Sequence, residues 1–254
     1  MNVFITGASS GIGAASAVAM AEAGHTVGIC ARREDRLAEV LERCGPDARM
    51  WVADLSDLDG LDALADKVDD ELGGVDVLVN NAGVPKRRRA RAMTSTDLEG
   101  VMAMNYHSPV RLALAFLPKM LARGSGEIVN VSSMGVHSAA FGVGAYSASK
   151  AALELFTESL YLELAGSGVR ARVLVPGTTR TEFSDDKPDN EPSMVRGAAS
   201  GATPEEVAAA LVATLGDDRF ITYATERDEQ GSAAKAADPN AFLANAREAL
   251  KGFL

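Results

Sequence analysis

The sequence predicts an α/β fold, a doubly wound parallel sheet of about seven strands with helices on both faces. Three observations predict it. Short β-branched runs alternate with longer helical patterns, several of those runs are apolar at every position, and the first run enters a glycine-rich loop and then a helix. Strands apolar on both sides need helices on both sides, which parallel crossovers supply. No linker, composition break or internal repeat interrupts the alternation, so residues 1–254 read as a single domain.

In chain order, the expected strands are Asn2–Thr6, Thr26–Ala31, Arg49–Ala53, Val75–Asn80, Gly126–Val131, Arg170–Val175 and Arg219–Ala224. Between them lie the expected helices Gly13–Ala23, Glu34–Arg43, Leu58–Leu72 and Thr96–Ala122, and the Ala- and Leu-rich helix that begins at Tyr146. Residues 184–202 carry Asp185, Asp186, Pro188, Asp189 and Pro192 with no apolar period, so 182–203 reads as a loop long enough to be a lid. Helix resumes at "TPEEVAAALVATL", where Thr203 can cap, Pro204 suits the first turn and Glu206 completes a capping box.

Composition narrows the function classes. A net charge of −10 argues against nucleic acid as a partner. Cys30 and Cys44 have no paired spacing and read as reduced thiols in a reducing compartment. With no leader and no apolar run long enough to span a bilayer, a cytoplasmic protein without a membrane partner is expected. Three histidines and no Cys/His cluster give no reason to expect a metal site.

"VFITGASSGIGAASAVAMAEAG" places Gly7, Gly11 and Gly13 between a strand and a helix. There the backbone can turn tightly and approach a ligand, and the free N–H groups of the helix start favour an anion. Ser9 and Ser10 add hydroxyl donors, and Ile12 lies within the loop. Opening an alternating chain, this reads as a dinucleotide's phosphate site. In "AYSASK", Tyr146 and Lys150 are four apart on one helix face. A nearby ammonium favours a phenolate, which would tune Tyr146 for proton transfer to a carbonyl oxygen or from an alcohol. "EIVNVSSMG" ends a buried strand with Ser132 and Ser133, where parallel sheets bind ligands.

Taken together these motifs resemble the short-chain dehydrogenase/reductase family. The glycine pattern is TGxxxGxG, and Ser133 stands thirteen residues before Tyr146. "MNYHSP" supplies Asn105, "VLVNNAG" supplies Asn80–Gly83, and "VPGTTRT" supplies Pro176, Gly177 and Thr181, in family order. The resemblance spans Val3 to Thr181 and implies a Rossmann-type oxidoreductase acting on a small-molecule carbonyl/alcohol pair. By resemblance, Tyr146 is the general acid/base, Lys150 lowers its pKa and binds the nicotinamide ribose, and Ser133 orients the substrate oxygen. Asn105 would hold a water linking Lys150 to a proton relay. Asp54, Leu55, Asn81, Ala82 and Gly83 would meet the adenosine side, and Thr179 and Thr181 the nicotinamide carboxamide.

The stretch "CARRED" bears on the cofactor. Ala31 stands where NAD-binding units place an acid that holds the ribose 2′-hydroxyl; by the resemblance, Arg32 occupies the place where NADP(H)-using members of the family put a phosphate-binding arginine, and Arg33 is adjacent. A guanidinium fork matches phosphate oxygens, so NADP(H) is expected in preference to NAD(H). The alternatives are an NAD-dependent alcohol dehydrogenase of the same family and a nucleotide-sensing binding protein without turnover. The intact Asn105, Ser133, Tyr146 and Lys150 argue against the sensor.

Other features read more plainly. "KRRRAR", residues 86–91, reads as a solvated loop, with attraction of an anionic substrate as the sharper alternative. His137 reads as a plain loop histidine. The helix from Tyr146 is apolar on more than one face, and the resemblance implies that it pairs between subunits in a homodimer or homotetramer.

Overall fold

The structure, a computed structural model, describes residues 1–139, 141–184, 190–191 and 201–251. Seven strands form: β1 (Asn2–Thr6), β2 (Thr26–Ala31), β3 (Arg49–Val52), β4 (Val77–Asn80), β5 (Gly126–Val131), β6 (Val169–Val175) and β7 (Ile221–Tyr223). They build one sheet in the order β3-β2-β1-β4-β5-β6-β7, with every pairing parallel. Val3 pairs with Val27 on one side and Val77 on the other, so the strand order reverses between β1 and β4. A crevice at that switch point is where open α/β sheets bind ligands.

Alternation along the strands sorts two cores. Phe4 joins Trp51, Leu61, Leu78, Phe116 and Met120 on one face. Its neighbours Val3 and Ile5 join Ala17, Met20, Leu37, Val207 and Leu211 on the other. The first face is covered by α3 (Leu61–Leu72), α5 (Ser108–Arg123) and α7 (Gly144–Glu163), the second by α1 (Gly11–Glu22), α2 (Glu34–Cys44) and α8 (Pro204–Thr214). The doubly wound sheet expected from the alternation is the one found. Thr203 and Glu206 form the expected capping box.

One expected helix is divided. Residues 96–122 contain α4 (Ser95–Met102), a wide π turn over Ala103–His107, and then α5. Pro109 has no N–H to bond the carbonyl four residues back, that of Asn105, and here the helix widens into the π turn while its backbone stays right-handed. The Asn105 side chain is instead fastened to Val84 and Ser149. At the other edge, Arg172 of β6 is buried between Glu127 at 2.8 Å and Asp217 at 2.7 Å.

Beyond β7 the chain adds α9 (Glu226–Ala237) and α10 (Pro239–Ala249), which the sequence reading did not place. Of the expected lid, the structure describes a short 3-10 turn at Glu182–Ser184, then Asn190, Glu191 and Gly201–Thr203; residues 185–189 and 192–200 lie outside the described residues. Cys30 is buried and its thiol is pushed up to about 12 by burial; Cys44 is free and partly buried. Among the described residues no helix is long and apolar enough to cross a membrane, and no group of acids, histidines and cysteines is placed to hold a metal.

Candidate active site

The C-terminal ends of β1, β4, β5 and β6 open into one cavity of about 1540 Å³. Gly7, Ser9, Ser10, Gly11, Ile12, Arg32, Arg33, Leu55, Asn81, Ala82, Gly83, Ser133, Tyr146, Lys150, Pro176, Gly177, Thr179 and Thr181 all line it. Gly13, Asp54 and Asn105 do not. Asp54 accepts from the Ser56 backbone and hydroxyl, which hold its carboxyl below the usual range. Gly13 and Asn105 work from behind the wall.

The glycine loop is tightly fitted. Gly7 and Gly11 have φ of +68° and +57°, and a Cβ on Gly11 would come within 3.0 Å of Thr181 Cγ2. A Cβ on Gly13 would meet Asn81 Nδ2 and the Gly7 carbonyl at 2.5 Å. Asn81 thus spends its amide on the Thr6 and Gly7 carbonyls, at 2.9 and 3.3 Å, and ties the end of β4 to the loop. Thr6 Oγ1 accepts from the Asn81 and Ala82 N–H groups. Helix α1 begins at Gly11 without a side-chain cap from Ser10, so its first N–H groups remain for an anion.

Ser133, at the end of β5, accepts from the Gly135 N–H at 3.0 Å, which leaves its own proton to donate. Burial raises the Tyr146 pKa above the usual phenol value, and a hydrogen bond with Ser133 partly offsets this. Burial also pushes Lys150 down to about 8, opposed by the Glu154 carboxylate. Lys150 Nζ donates to the Val131 carbonyl at 2.8 Å. The expectation that Lys150 lowers the Tyr146 pKa is therefore not what this arrangement displays; desolvation dominates both groups. Asn105 Oδ1 accepts from the Val84 N–H at 2.8 Å and its amide donates to the Val84 carbonyl at 3.1 Å, so it clamps the chain just after Gly83.

Two readings need correction. The basic stretch is not a freely solvated loop. Lys86 and Arg88 converge on Asp97 at 2.6 and 2.7 Å, and Arg89 meets Glu191 at 3.1 Å. Their side chains are only 15%, 26% and 30% exposed, because the acids needed to neutralise them are supplied from α4 and from residue 191. His137, at the end of the one-turn helix α6 (Met134–His137), is not a plain loop residue. Its Nε2 lies 3.0 Å from Glu154 Oε1 and its Nδ1 3.3 Å from Ser232 Oγ, while Ser132 also donates to Glu154. Glu154 thereby joins the end of β5 to the turn after Ser133.

The sequence reading also missed part of the wall. Phe183 packs against the Tyr146 ring at 5.9 Å, and Leu243 and Leu250 of the C-terminal segment line the same cavity. The signal was available, since Phe242, Leu243, Ala246, Ala249 and Leu250 follow a helical apolar period. At the adenosine end, Arg33 rather than Arg32 overlies the loop. It donates to Ser9 and Ser10, whereas Arg32, also on the cavity wall, makes no hydrogen bond with the loop serines and lies 3.9 Å from Asp54.

Comparison with known proteins agrees with this geometry. The family model for short chain dehydrogenases matches residues 1–192. An uncharacterized oxidoreductase of Mycobacterium tuberculosis, Rv1543, is 41% identical over 214 residues, covering 79% of this chain and 63% of that protein. A fatty acyl-CoA reductase of the same organism, Rv0547c, is 40% identical over 180 residues, 68% of this chain and 60% of that one. The chain thus spans less than two thirds of the length of these relatives. A short-chain dehydrogenase from Sphingobium yanoikuyae, solved in complex with NADPH, superposes with a TM-score of 0.79 at 28% identity, covering 100% of this chain and 96% of that one. The chain belongs to the short-chain dehydrogenase family and carries that family's Rossmann-type parallel sheet.

Proposed function

We propose that this protein is an NADP(H)-dependent carbonyl reductase that interconverts a carbonyl and an alcohol by hydride transfer, with Tyr146 as the general acid/base. The observation that carries the reading is the meeting of Ser133, Tyr146 and Lys150 in the cavity that also receives the uncapped start of α1. The residues fit a nicotinamide dinucleotide. The gap between Gly11 and Thr181 is one that a Cβ would fill, and the first N–H groups of α1 suit a pyrophosphate. When bound, that cofactor supplies or accepts the hydride.

The chain's own residues supply the rest. Ser133 donates to the substrate oxygen and orients it. Tyr146, whose phenol burial raises further above its ordinary pKa, gives that oxygen its proton as the alcohol forms. Lys150 would hold the nicotinamide ribose, and Asn105 keeps Gly83 and Val84 in place beside it. Thr179 and Thr181 would meet the nicotinamide side of the cofactor, and Leu55 and Ala82 the adenine side. Arg33, on the Ser9 and Ser10 hydroxyls, is placed for a 2′-phosphate, with Arg32 beyond it.

Substrate class follows from the wall. Met134, Phe141, Val143, Phe183, Leu243 and Leu250 add apolar wall to a cavity that Lys86, Arg87, Arg89 and Arg247 also line, which supports a carbonyl on an aliphatic chain. The name of the relative Rv0547c, a fatty acyl-CoA reductase, points the same way. We further assign the protein to the cytoplasm and to a homodimer or homotetramer formed through α5 and α7. The test is a series of aldehydes and ketones of rising chain length, assayed with NADPH and NADH at the nicotinamide absorbance. Turnover that is faster with NADPH and improves with chain length is expected; no oxidation of either cofactor across the series overturns the reading.

A further inference from the structure

We propose that Glu182 is a specificity-determining residue for the cofactor, an internal carboxylate that competes with a 2′-phosphate for Arg33 and Arg36. The proposal rests on the NADP(H) reading above. Three elements meet at the adenosine end of the cavity. Arg33, at the start of α2, donates from Nη2 to Ser9 Oγ at 3.0 Å and Ser10 Oγ at 2.7 Å, and from Nε to Ser9 Oγ at 3.2 Å. Its Nη1 donates to Glu182 Oε2 at 3.1 Å. Arg36, one turn further along α2, donates from Nη1 to Glu182 Oε1 at 2.5 Å. One carboxylate therefore spans two guanidinium groups with one oxygen on each, as a phosphate does between two arginines.

The fold puts Glu182 there. Thr181 packs on Gly11, so the chain crosses the glycine loop and its next residue overhangs the first turn of α2. The first turn of α2 carries Glu34 and Asp35 beside these arginines, and Glu182 adds a further anion that binds both guanidinium groups directly. Arg36 holds the Glu182 carboxyl below its ordinary range, with Arg33 adding to the effect.

A ribose 2′-phosphate reaching Arg33 must share or displace that carboxylate, and two anions repel at this distance. A 2′-hydroxyl asks for neither arginine. Glu182 thus weakens NADPH binding and leaves NADH binding almost untouched, which sets the size of the preference. The side chains are half exposed, at 42% for Arg33, 39% for Arg36 and 51% for Glu182, so the effect is modest. Removing the charge should tighten NADPH by about 3–10-fold.

The experiment measures dissociation constants of NADPH and NADH by nucleotide fluorescence in wild type, Glu182→Gln and Arg36→Ala. The adenosine fragments 2′,5′-ADP and 5′-AMP are measured by calorimetry as probes free of the nicotinamide. Glu182→Gln should tighten NADPH and 2′,5′-ADP while NADH and 5′-AMP stay within about twofold, and Arg36→Ala should weaken only the phosphorylated pair. A wild type that prefers NADPH, with the same NADPH/NADH ratio or a smaller one in Glu182→Gln, overturns this proposal alone. A wild type that binds NADH as tightly as NADPH overturns the NADP(H) reading itself.

Discussion

Tyr146 and Lys150 share one helix face, and burial acts on them in opposite directions: it holds the phenol protonated and makes the ammonium easier to deprotonate. In the proposed mechanism, replacing Tyr146 with Phe removes the proton given to the substrate oxygen and spares the backbone groups that would hold the cofactor. kcat should fall by about 10²–10⁴, with the NADPH dissociation constant unchanged; wild-type kcat on a verified substrate would remove Tyr146 from its role. Lys150 also links stability to pH. Folding moves its pKa from 10.5 to about 8, so across that interval the unfolded chain holds a proton that the native one has released. Its contribution to stability therefore rises with pH from about 8 to 10.5. Urea unfolding at pH 7.5 and 10 should show wild type gaining stability relative to Lys150→Met as pH rises. A gap that is constant or moves the other way would contradict the burial argument.

At the scale of elements, two buried polar clusters decide how the sheet is finished. Arg172 on β6, 2% exposed, reaches Glu127 on β5 and Asp217 beyond α8, and it also donates to the Thr214 and Asp217 carbonyls. Burial pushes the Glu127 carboxyl up, and Arg172 is the main group opposing that shift. Arg172→Ala leaves a buried carboxylate uncompensated and should cost about 3–5 kcal/mol by denaturant unfolding. The double variant Glu127→Gln with Arg172→Met should recover much of that loss. A loss below about 1 kcal/mol in the single variant would mean that water reaches Glu127. The second cluster joins Ser132, Glu154 and His137, and it braces the turn that carries Ser133. The break between α4 and α5 belongs here too: Pro109 signalled it in the sequence, although the apolar pattern runs straight through.

For the whole molecule, the reversal of strand order between β1 and β4 collects residues from 7 to 250 around one cavity. The far side of the sheet leaves apolar side chains uncovered. Leu155 and Leu162 on α7 are 67% and 66% exposed, and Leu114 and Leu121 on α5 are 53% and 43% exposed. Each pair is seven residues apart, so each makes a stripe along its helix. A contiguous apolar face of this kind on two neighbouring helices suits a second copy of the chain. Leu155→Glu combined with Leu162→Glu should convert the proposed homo-oligomer to a folded monomer in light scattering, with circular dichroism unchanged. An unaltered mass would place the subunit contact elsewhere.

The sequence by itself determined the α/β class, the order of the strands up to Val175, and many of the residues that line the cavity, but not Phe183, Leu243 or Leu250. Those signals are local. An apolar run bounded by turns, a glycine loop before a helix, and a Tyr and Lys four apart each reflect backbone geometry within a few residues. Only the tertiary structure decided which charges meet. That Lys86 and Arg88 are neutralised by Asp97, that Glu154 holds Ser132 and His137, and that Arg33 rather than Arg32 overlies Ser9 and Ser10 all depend on side chains brought together by folding. Glu182 is the clearest case, 149 residues from Arg33 in the chain and in contact with it. Burial, and with it the direction of each pKa shift at Tyr146 and Lys150, is likewise set by the packing around a residue, which no spacing in the sequence encodes.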